Sequence, residues 1–138
     1  MEFLHTFCNL VEDNIRYGSF AIGRVKIYLR VEMNWIKIFS NEAEARQRIL
    51  PDKPQLLVLY GTRVCLILHN NIFSAVQDAC THNGVSLSTG YVNYLGEVIC
   101  PLHNYQFNLQ TGRECNARSR DLVTYPVKID ESGFFVGI

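Results

Sequence analysis

The chain has 138 residues, 48% of them hydrophobic, which is enough for one domain with its own apolar core. Thirteen basic residues balance thirteen acidic ones, and this net charge of zero excludes binding to nucleic acid or anionic lipid through a global field. No apolar stretch approaches transmembrane length and the first residues lack the basic region of a secretory signal, so we expect a cytoplasmic protein with no membrane attachment.

Residues 1–32 carry two different patterns. Apolar residues recur at helical spacing from Phe3 to Ile15, whereas apolar and polar residues alternate from Val25 to Glu32 as in a strand. One hypothesis is an extension for docking or oligomerisation. The other, which we favour, is an upstream stretch absent from the native product, with Met33 as the true first residue. The chain is therefore divided into residues 1–32, of uncertain status, and a main domain over residues 33–138.

The main domain is predicted to consist of short strands and turns. Alternation predicts a strand at 35–39, and a short helix follows over 41–49 with Ser40 or Asn41 as its N-cap. Segments rich in β-branched, aliphatic and aromatic residues predict strands at 56–60, 64–68 and 72–77, then a hairpin through Gly96 and a turn at Gln110–Gly112. Two final strands are predicted at 122–129 and 134–138. The fold class is thus all-β, an antiparallel sandwich or barrel.

Two short segments carry the candidate ligands. Cys80-Thr81-His82 and Cys100-Pro101-Leu102-His103 each supply one thiolate and one imidazole, and the seventeen residues from Asn83 to Ile99 separate them. In a reducing compartment, such cysteines indicate metal ligation rather than disulfides. Two sulfur and two nitrogen ligands, delivered in the same order from two loops, match a binuclear iron-sulfur centre in which one iron takes both cysteines and the other both histidines.

From Trp35 to Ile138 the sequence resembles the Rieske ferredoxins, the electron-transfer components of bacterial aromatic-ring dioxygenase systems. Gly84 after the first segment and the run CPLHNYQFNLQTG from Cys100 to Gly112 strengthen the resemblance. It implies a Rieske-like fold with the cluster-binding loops at one tip. It also implies a Rieske-type 2Fe-2S cluster, held by Cys80, His82, Cys100 and His103.

The resemblance further implies a soluble electron carrier rather than an enzyme. Such a protein accepts one electron from a flavin-dependent reductase and delivers it to a terminal oxygenase, with the imidazole edges of His82 and His103 as the exit. The identity of these redox partners, the final substrate and the oligomeric state are left open by the sequence.

Three alternatives remain open. The same four residues could form a structural zinc site, although common zinc spacings pair like ligands in one segment. They could also be unconnected core cysteines and loop histidines; this describes Cys65 better, because it sits in an apolar run. Within the resemblance, the chain could be a small accessory subunit of a reductase such as assimilatory nitrite reductase.

Further expectations follow from the resemblance. Respiratory Rieske subunits carry a disulfide where this chain has Val85 and Leu102, and a serine where it has Tyr105, so fewer hydroxyl groups face the sulfurs here. We therefore expect a reduction potential at the low end of the Rieske range, near roughly −150 mV. Backbone amides around residues 83, 84, 104 and 105 are expected to donate to the cluster sulfurs.

A third loop at Cys115–Ser119 is expected to cover the cluster. The family often has proline where this chain has Ala117. Charged residues in this stretch are predicted to form either a solvated edge or a basic rim for an acidic partner. The basic ones are Arg113, Arg118 and Arg120.

Overall fold

The computed structural model describes residues 15–22 and 25–138. The described residues form two compact units, one with those up to Trp35 together with Ile138, the other with Ile36–Gly137. In the first, strands β1 (Ile15–Ile22) and β2 (Val25–Glu32) pair antiparallel, with Ile15 opposite Glu32. The alternation predicted from Val25 is confirmed as β2. The helical spacing from Phe3 lies outside the described residues except for Ile15, which begins a strand.

Strand β3 (Trp35–Phe39) and helix α1 (Glu42–Arg48) follow, as predicted. The helix begins where Asn41 accepts a hydrogen bond from the Glu44 amide, while the Glu44 carboxylate accepts one from the amide of Ser40. This reciprocal pair is a capping box and satisfies two amides at the helix start. The predicted N-cap is therefore confirmed as Asn41.

The largest sheet has four strands in the order β10-β6-β5-β4. Its strands are β4 (Gln55–Leu59), β5 (Thr62–His69), β6 (Ile72–Gln77) and β10 (Thr124–Tyr125). The connections use Tyr60-Gly61 and Asn70-Asn71, all with positive φ, which is the backbone that tight two-residue hairpins require. The three strands predicted in this region are confirmed.

A second sheet contains the strands that precede and follow the second candidate ligand segment. A 3-10 turn (Leu87–Thr89) leads to β7 (Tyr91–Val92), β8 (Glu97–Ile99) and β9 (Gln106–Asn108), which pair in that order. The predicted hairpin through Gly96 joins β7 and β8. Because β8 ends at Ile99 and β9 begins at Gln106, residues 100–105 form the loop at one end of this pair.

The predicted strand at 122–129, the last but one, is corrected by the structure. It is two strands in different sheets: β10 pairs with β6, whereas β11 (Val127–Asp130) pairs with β12 (Gly133–Gly137) in a sheet ordered β11-β12-β3. Pro126 separates them. Proline has no amide hydrogen to give to a ladder, so it marks the point where the chain changes sheets.

The core cluster beside the ligand loops is apolar and includes both candidate ligand cysteines. Its members come from β5, β6, β8, β9 and the loops that join them: Cys65, Ile67, Val76, Cys80, Leu87, Val98, Cys100, Phe107, Leu109 and Leu122. The two ligand loops thus start from the edge of the core. Helices in the described ranges, 15–22 and 25–138, are too short and too polar to cross a lipid bilayer.

Candidate metal centre

The two ligand loops, Cys80–Val85 and Cys100–Tyr105, have the same backbone frame. In each, the amide of the first residue donates to the carbonyl of the sixth, at 2.8 and 2.9 Å, and the amide of the fifth donates to the carbonyl of the first, at 2.8 and 3.0 Å. The fifth residue is Gly84 in one loop and Asn104 in the other, with φ of 75° and 56°. Glycine and asparagine are the residues that adopt this left-handed conformation most readily.

The shared frame places the cysteine of each loop inside and the histidine outside. Cys80 and Cys100 are buried in the same apolar core cluster, and the Cys100 thiol is close enough to influence the protonation of Cys80. Burial, and then the neighbouring thiol, raises the pKa of Cys80, although the amides of His82 and Asn83 donate to its sulfur and oppose the shift. Both cysteines are free thiols.

The two histidines meet at the solvent side of the loops. His82 and His103 are exposed, their ring centroids lie 5.1 Å apart, and their Nδ1 atoms are separated by 3.3 Å. Both rings therefore aim the same nitrogen at one region. The structure brings the four predicted ligands together as a buried pair of sulfurs and an exposed pair of nitrogens.

This donor set fits a binuclear cluster. Each iron of a Rieske centre takes two protein ligands of one kind, and the chain presents its donors as two like pairs. Within the described part of the chain, no three His, Cys, Asp or Glu side chains converge on a single metal-ion position. A binuclear centre does not require such a group. We therefore assign Cys80 and Cys100 as candidate ligands of one iron, and His82 and His103 as those of the other.

A buried carboxylate stands behind the first ligand loop. Asp78 is fully buried, and its carboxylate accepts hydrogen bonds from the Ser86 hydroxyl at 2.6 Å, the Ser88 amide at 3.0 Å and Arg63 at 3.0 Å. The Asp78 carbonyl also accepts from the amide of Leu87 at 2.7 Å. Asp78 precedes the loop, whereas Ser86 and Ser88 follow it, so the carboxylate closes the base of the loop.

A second buried carboxylate acts through the third loop. Glu114 accepts from the amides of Asn116 and Arg118 at 3.1 and 2.6 Å, and its other oxygen pairs with the Arg118 guanidinium at 3.2 Å. Arg118 in turn donates to the carbonyl of Asn104 at 3.0 Å and lies over the ring of Tyr105 at 4.0 Å from its centroid. The third loop is therefore bound to the second ligand loop by an arginine.

The third loop also contacts the first ligand loop. The Thr81 hydroxyl donates to the carbonyl of Arg120 at 2.7 Å and lies 2.9 Å from the Ser119 hydroxyl. Ala117 has a φ of 54°, which proline, with φ fixed near −65°, cannot adopt. The loop here thus takes a conformation that is closed to proline.

Several site features went beyond the sequence prediction. Asp78 and Glu114 were not singled out as support for the loops, and Arg118 was read as a rim or solvated edge. Of the amides predicted to donate to the cluster sulfurs, those of Gly84 and Asn104 donate to the carbonyls of Cys80 and Cys100, and the role of the amides of Asn83 and Tyr105 stays a prediction. One signal could have identified Asp78: it is an acidic residue two positions before a ligand cysteine, and serines come shortly after the same ligand loop.

A protein-family model matches most of this region. The model of the Rieske [2Fe-2S] domain matches residues 40–126. The 3-phenylpropionate/cinnamic acid dioxygenase ferredoxin subunit of Photorhabdus laumondii is 34% identical over 90 residues, which are 64% of this chain and 86% of that protein. The subunit of the same name from Shigella boydii is 39% identical over 67 residues, 48% of this chain and 63% of that protein.

Solved structures share the fold at lower identity. A chain described as the small subunit of an NADH-dependent nitrite reductase from Mycobacterium tuberculosis has a TM-score of 0.65 and 19% identity, over 77% of this chain and 96% of its own. The ferredoxin of carbazole 1,9a-dioxygenase from Nocardioides aromaticivorans has a TM-score of 0.63 and 20% identity, over 75% and 96%. A ferredoxin in complex with the carbazole 1,9a-dioxygenase oxygenase has a TM-score of 0.62 and 22% identity, over 75% and 100%. The antiparallel all-β fold is thus that of Rieske-type ferredoxins.

Proposed function

Since the chain belongs to the Rieske [2Fe-2S] domain family, we propose that it is a one-electron carrier whose cluster is held by Cys80, Cys100, His82 and His103. The convergence of the two Nδ1 atoms, 3.3 Å apart at the end of two matched loops, is the observation that carries this proposal. When bound, the cluster supplies a reversible one-electron couple, and the imidazole ligands make it easier to reduce than an all-cysteine cluster.

The cysteines and the histidines have different roles around this centre. The buried cysteines keep water from the inner side of the site, because their sulfur atoms lie within the apolar core cluster. The exposed histidines form the outer side, where a redox partner would make contact. Pro101 and Leu102 lie exposed beside them in the second loop. Leu102 provides an apolar surface next to the imidazoles, as expected at the centre of a transient protein contact.

The proposed partners are a flavin-dependent reductase as electron donor and the terminal oxygenase of an aromatic-ring dioxygenase as acceptor. Relatives at 34% and 39% identity carry names of dioxygenase ferredoxin subunits, and this supports the choice. The nitrite reductase small subunit shares the fold alone, so it is the alternative that partner experiments must separate. The role is that of a carrier, and catalysis takes place on the partner.

Electron paramagnetic resonance of the dithionite-reduced protein, together with its iron content, tests the proposal. We expect a rhombic signal with an average g below the free-electron value and two irons per chain, because two imidazole and two thiolate ligands share a binuclear cluster. His103→Ala and Cys100→Ser should abolish the signal. Matched controls are His69→Gln and Cys115→Ser, which replace the same residue types outside the ligand loops and should retain it.

Other results would overturn the proposal. A colourless protein that contains zinc would favour a structural zinc site, and a signal retained in His103→Ala would remove that residue from the ligand set. The partner assignment is tested separately by stopped-flow mixing. Reoxidation of the reduced protein by a ring-hydroxylating oxygenase, but not by a sirohaem nitrite reductase, is the expected result; the reverse preference would favour the accessory subunit.

A further inference from the structure

Aromatic and guanidinium groups stack in a column on one of the two imidazoles. The ring of Tyr105 is stacked on His82, with centroids 4.3 Å apart and planes 8° from parallel. The Arg118 guanidinium carbon lies 4.0 Å from the centroid of the same tyrosine. Since the imidazole fills one face of the tyrosine ring at this distance, the guanidinium must occupy the other face. The order of the column is His82, Tyr105, Arg118.

The outer end of the column is fixed to the protein. Arg118 donates to the carbonyl of Asn104 and pairs with the carboxylate of Glu114, which is fully buried. A guanidinium held on its edge by two acceptors keeps its plane free to stack on an aromatic ring. Arg118 is therefore held in place, and it packs Tyr105 against the imidazole of His82.

His103 does not have the same support. Its ring meets His82 edge to face, at 67°, and among the described residues no aromatic ring stacks on it in parallel. Both histidines are exposed, so neither is fixed by burial. The two candidate nitrogen ligands thus differ in how their rings are oriented, although their loops share one backbone frame.

We propose that Tyr105 and Arg118 are positioning residues that hold the His82 imidazole with its Nδ1 directed at the cluster. This inference rests on the proposed function, because it assigns the two residues to a ligand of the cluster. Groups that fix the orientation of a metal-bound histidine raise the stability of the site and tune its electronic properties. The role depends on the aromatic ring, so the tyrosine hydroxyl is dispensable and phenylalanine should replace it.

The test uses the reduced holoprotein and measures each histidine nitrogen. Pulsed electron paramagnetic resonance resolves the hyperfine couplings of the two coordinating nitrogens, and a chelator challenge gives the rate of cluster loss. In Tyr105→Leu we expect one nitrogen coupling to change while the other stays, and the cluster to be lost roughly fivefold faster. Arg118→Gln should shift the same coupling by less, and Tyr105→Phe should restore both values.

Matched controls separate positioning from charge and from folding. Arg120→Gln removes one positive charge from the same loop and retains the carbonyl that contacts Thr81, so it should leave both couplings unchanged. Tyr94→Leu removes an exposed tyrosine outside the ligand loops and should do the same. If Tyr105→Leu fails to fold, Arg118→Gln carries the test alone.

Three results would overturn the inference. The first is that the couplings and the rate of cluster loss are unchanged in Tyr105→Leu or, where that variant does not fold, in Arg118→Gln. The second is that Tyr105→Phe behaves like the leucine variant. The third is that a nitrogen coupling changes as much in Arg120→Gln as in Arg118→Gln. Failure of the proposed function is distinguishable, since it appears in the wild-type protein as the absence of the rhombic signal. A wild-type signal that is insensitive to these substitutions contradicts the positioning role only.

Discussion

The first and second ligand loops have matching backbones and different supports. Behind the first, Asp78 binds residues that directly follow the loop, so a single carboxylate closes the loop on itself. Behind the second, Glu114 binds Arg118, and the arginine reaches the loop at Asn104 and Tyr105. The same backbone frame can therefore be held locally or by a neighbouring loop. The local support depends on one side chain, and the indirect support on several contacts in series.

The largest expected effect comes from removing the local support. Asp78→Ala leaves the Ser86 hydroxyl and the Ser88 amide without their carboxylate acceptor and Arg63 without its ion-pair partner, and we expect a loss of about 3 kcal/mol in the free energy of unfolding. Urea unfolding measures this loss. Glu131→Ala replaces an exposed carboxylate and should change the free energy by no more than about 0.5 kcal/mol.

The matched change behind the second loop sharpens the comparison. Glu114→Ala should cost less, about 2 kcal/mol, because the amides that lose their acceptor belong to the exposed residues Asn116 and Arg118, which water can hydrate, whereas Ser86 and Ser88 are half-buried. Hydrogen exchange should separate the two variants by location. The amide of Leu87 is expected to exchange faster in Asp78→Ala, and that of Arg118 in Glu114→Ala. Equal costs and the same exchange pattern in both variants would contradict the distinction between the two supports.

The glycine and asparagine at the fifth loop position offer a smaller test, on the backbone itself. An added Cβ at Gly84 would meet no atom within 4 Å, so the cost of Gly84→Ala comes only from its φ of 75° and should be about 1 kcal/mol. Asn104→Gly, at φ 56°, should stabilise or leave the protein unchanged, within about 0.5 kcal/mol, because glycine relieves the same strain.

Thermal unfolding of the Gly84→Ala and Asn104→Gly holoproteins measures this difference. The control is Asn104→Ala, because it introduces the same side chain as Gly84→Ala. The two alanine variants should be destabilised, while the glycine variant is not. A stability loss in Asn104→Gly comparable to that of Gly84→Ala would mean that the asparagine side chain, rather than the left-handed backbone, is what the second loop requires.

The parts of the molecule that could be predicted from the sequence are those whose structure is determined by residues close together in the chain. The ligand segments are recognisable because their chemistry lies within three or four consecutive residues, and α1 because its capping residues, Ser40 to Glu44, are adjacent in the chain. Strands β4 to β6 are predicted by their β-branched, aliphatic and aromatic residues and by the turn residues between them. The split at Pro126 also had a local cause, a missing amide, but which sheet each half joins is decided by tertiary pairing.

The supports of the site were not predictable in the same way. Asp78 and Glu114 are charged residues that normally lie at the surface, and they are buried because groups in the loops that follow them satisfy their carboxylates. Arg118 lies fourteen residues from Asn104, its carbonyl acceptor, so its contact with the second loop depends on how the third loop folds back. The left-handed backbone of Ala117 likewise has no signal in the residue itself.

The alkylation rate of Cys115 tests the two supports with the smallest expected effect. This residue is the first of the third loop, so the reactivity of its thiol depends on how that loop is held. Its thiol donates to the Glu97 carboxylate at 3.0 Å; burial, then Glu97 and more weakly Glu114, raises the pKa of Cys115 to about 11. The thiolate is the reactive form, so alkylation at pH 8 should be slow for an exposed cysteine and should accelerate as the pH rises toward 11. Peptide mapping after timed iodoacetamide treatment of the holoprotein measures the rate.

The two carboxylate variants should differ in this rate. Glu114→Ala frees the third loop and removes a nearby negative charge, and both changes favour the Cys115 thiolate, so alkylation should be roughly tenfold faster. Asp78→Ala acts on the other ligand loop and should leave the rate as in the wild type. Glu97→Gln, which removes the negative charge beside the thiol without touching either support, gives the rate expected when the third loop is intact and the thiol lacks that charge. Acceleration in Asp78→Ala would show that the two supports are coupled, and the distinction between a local and an indirect one would then fail.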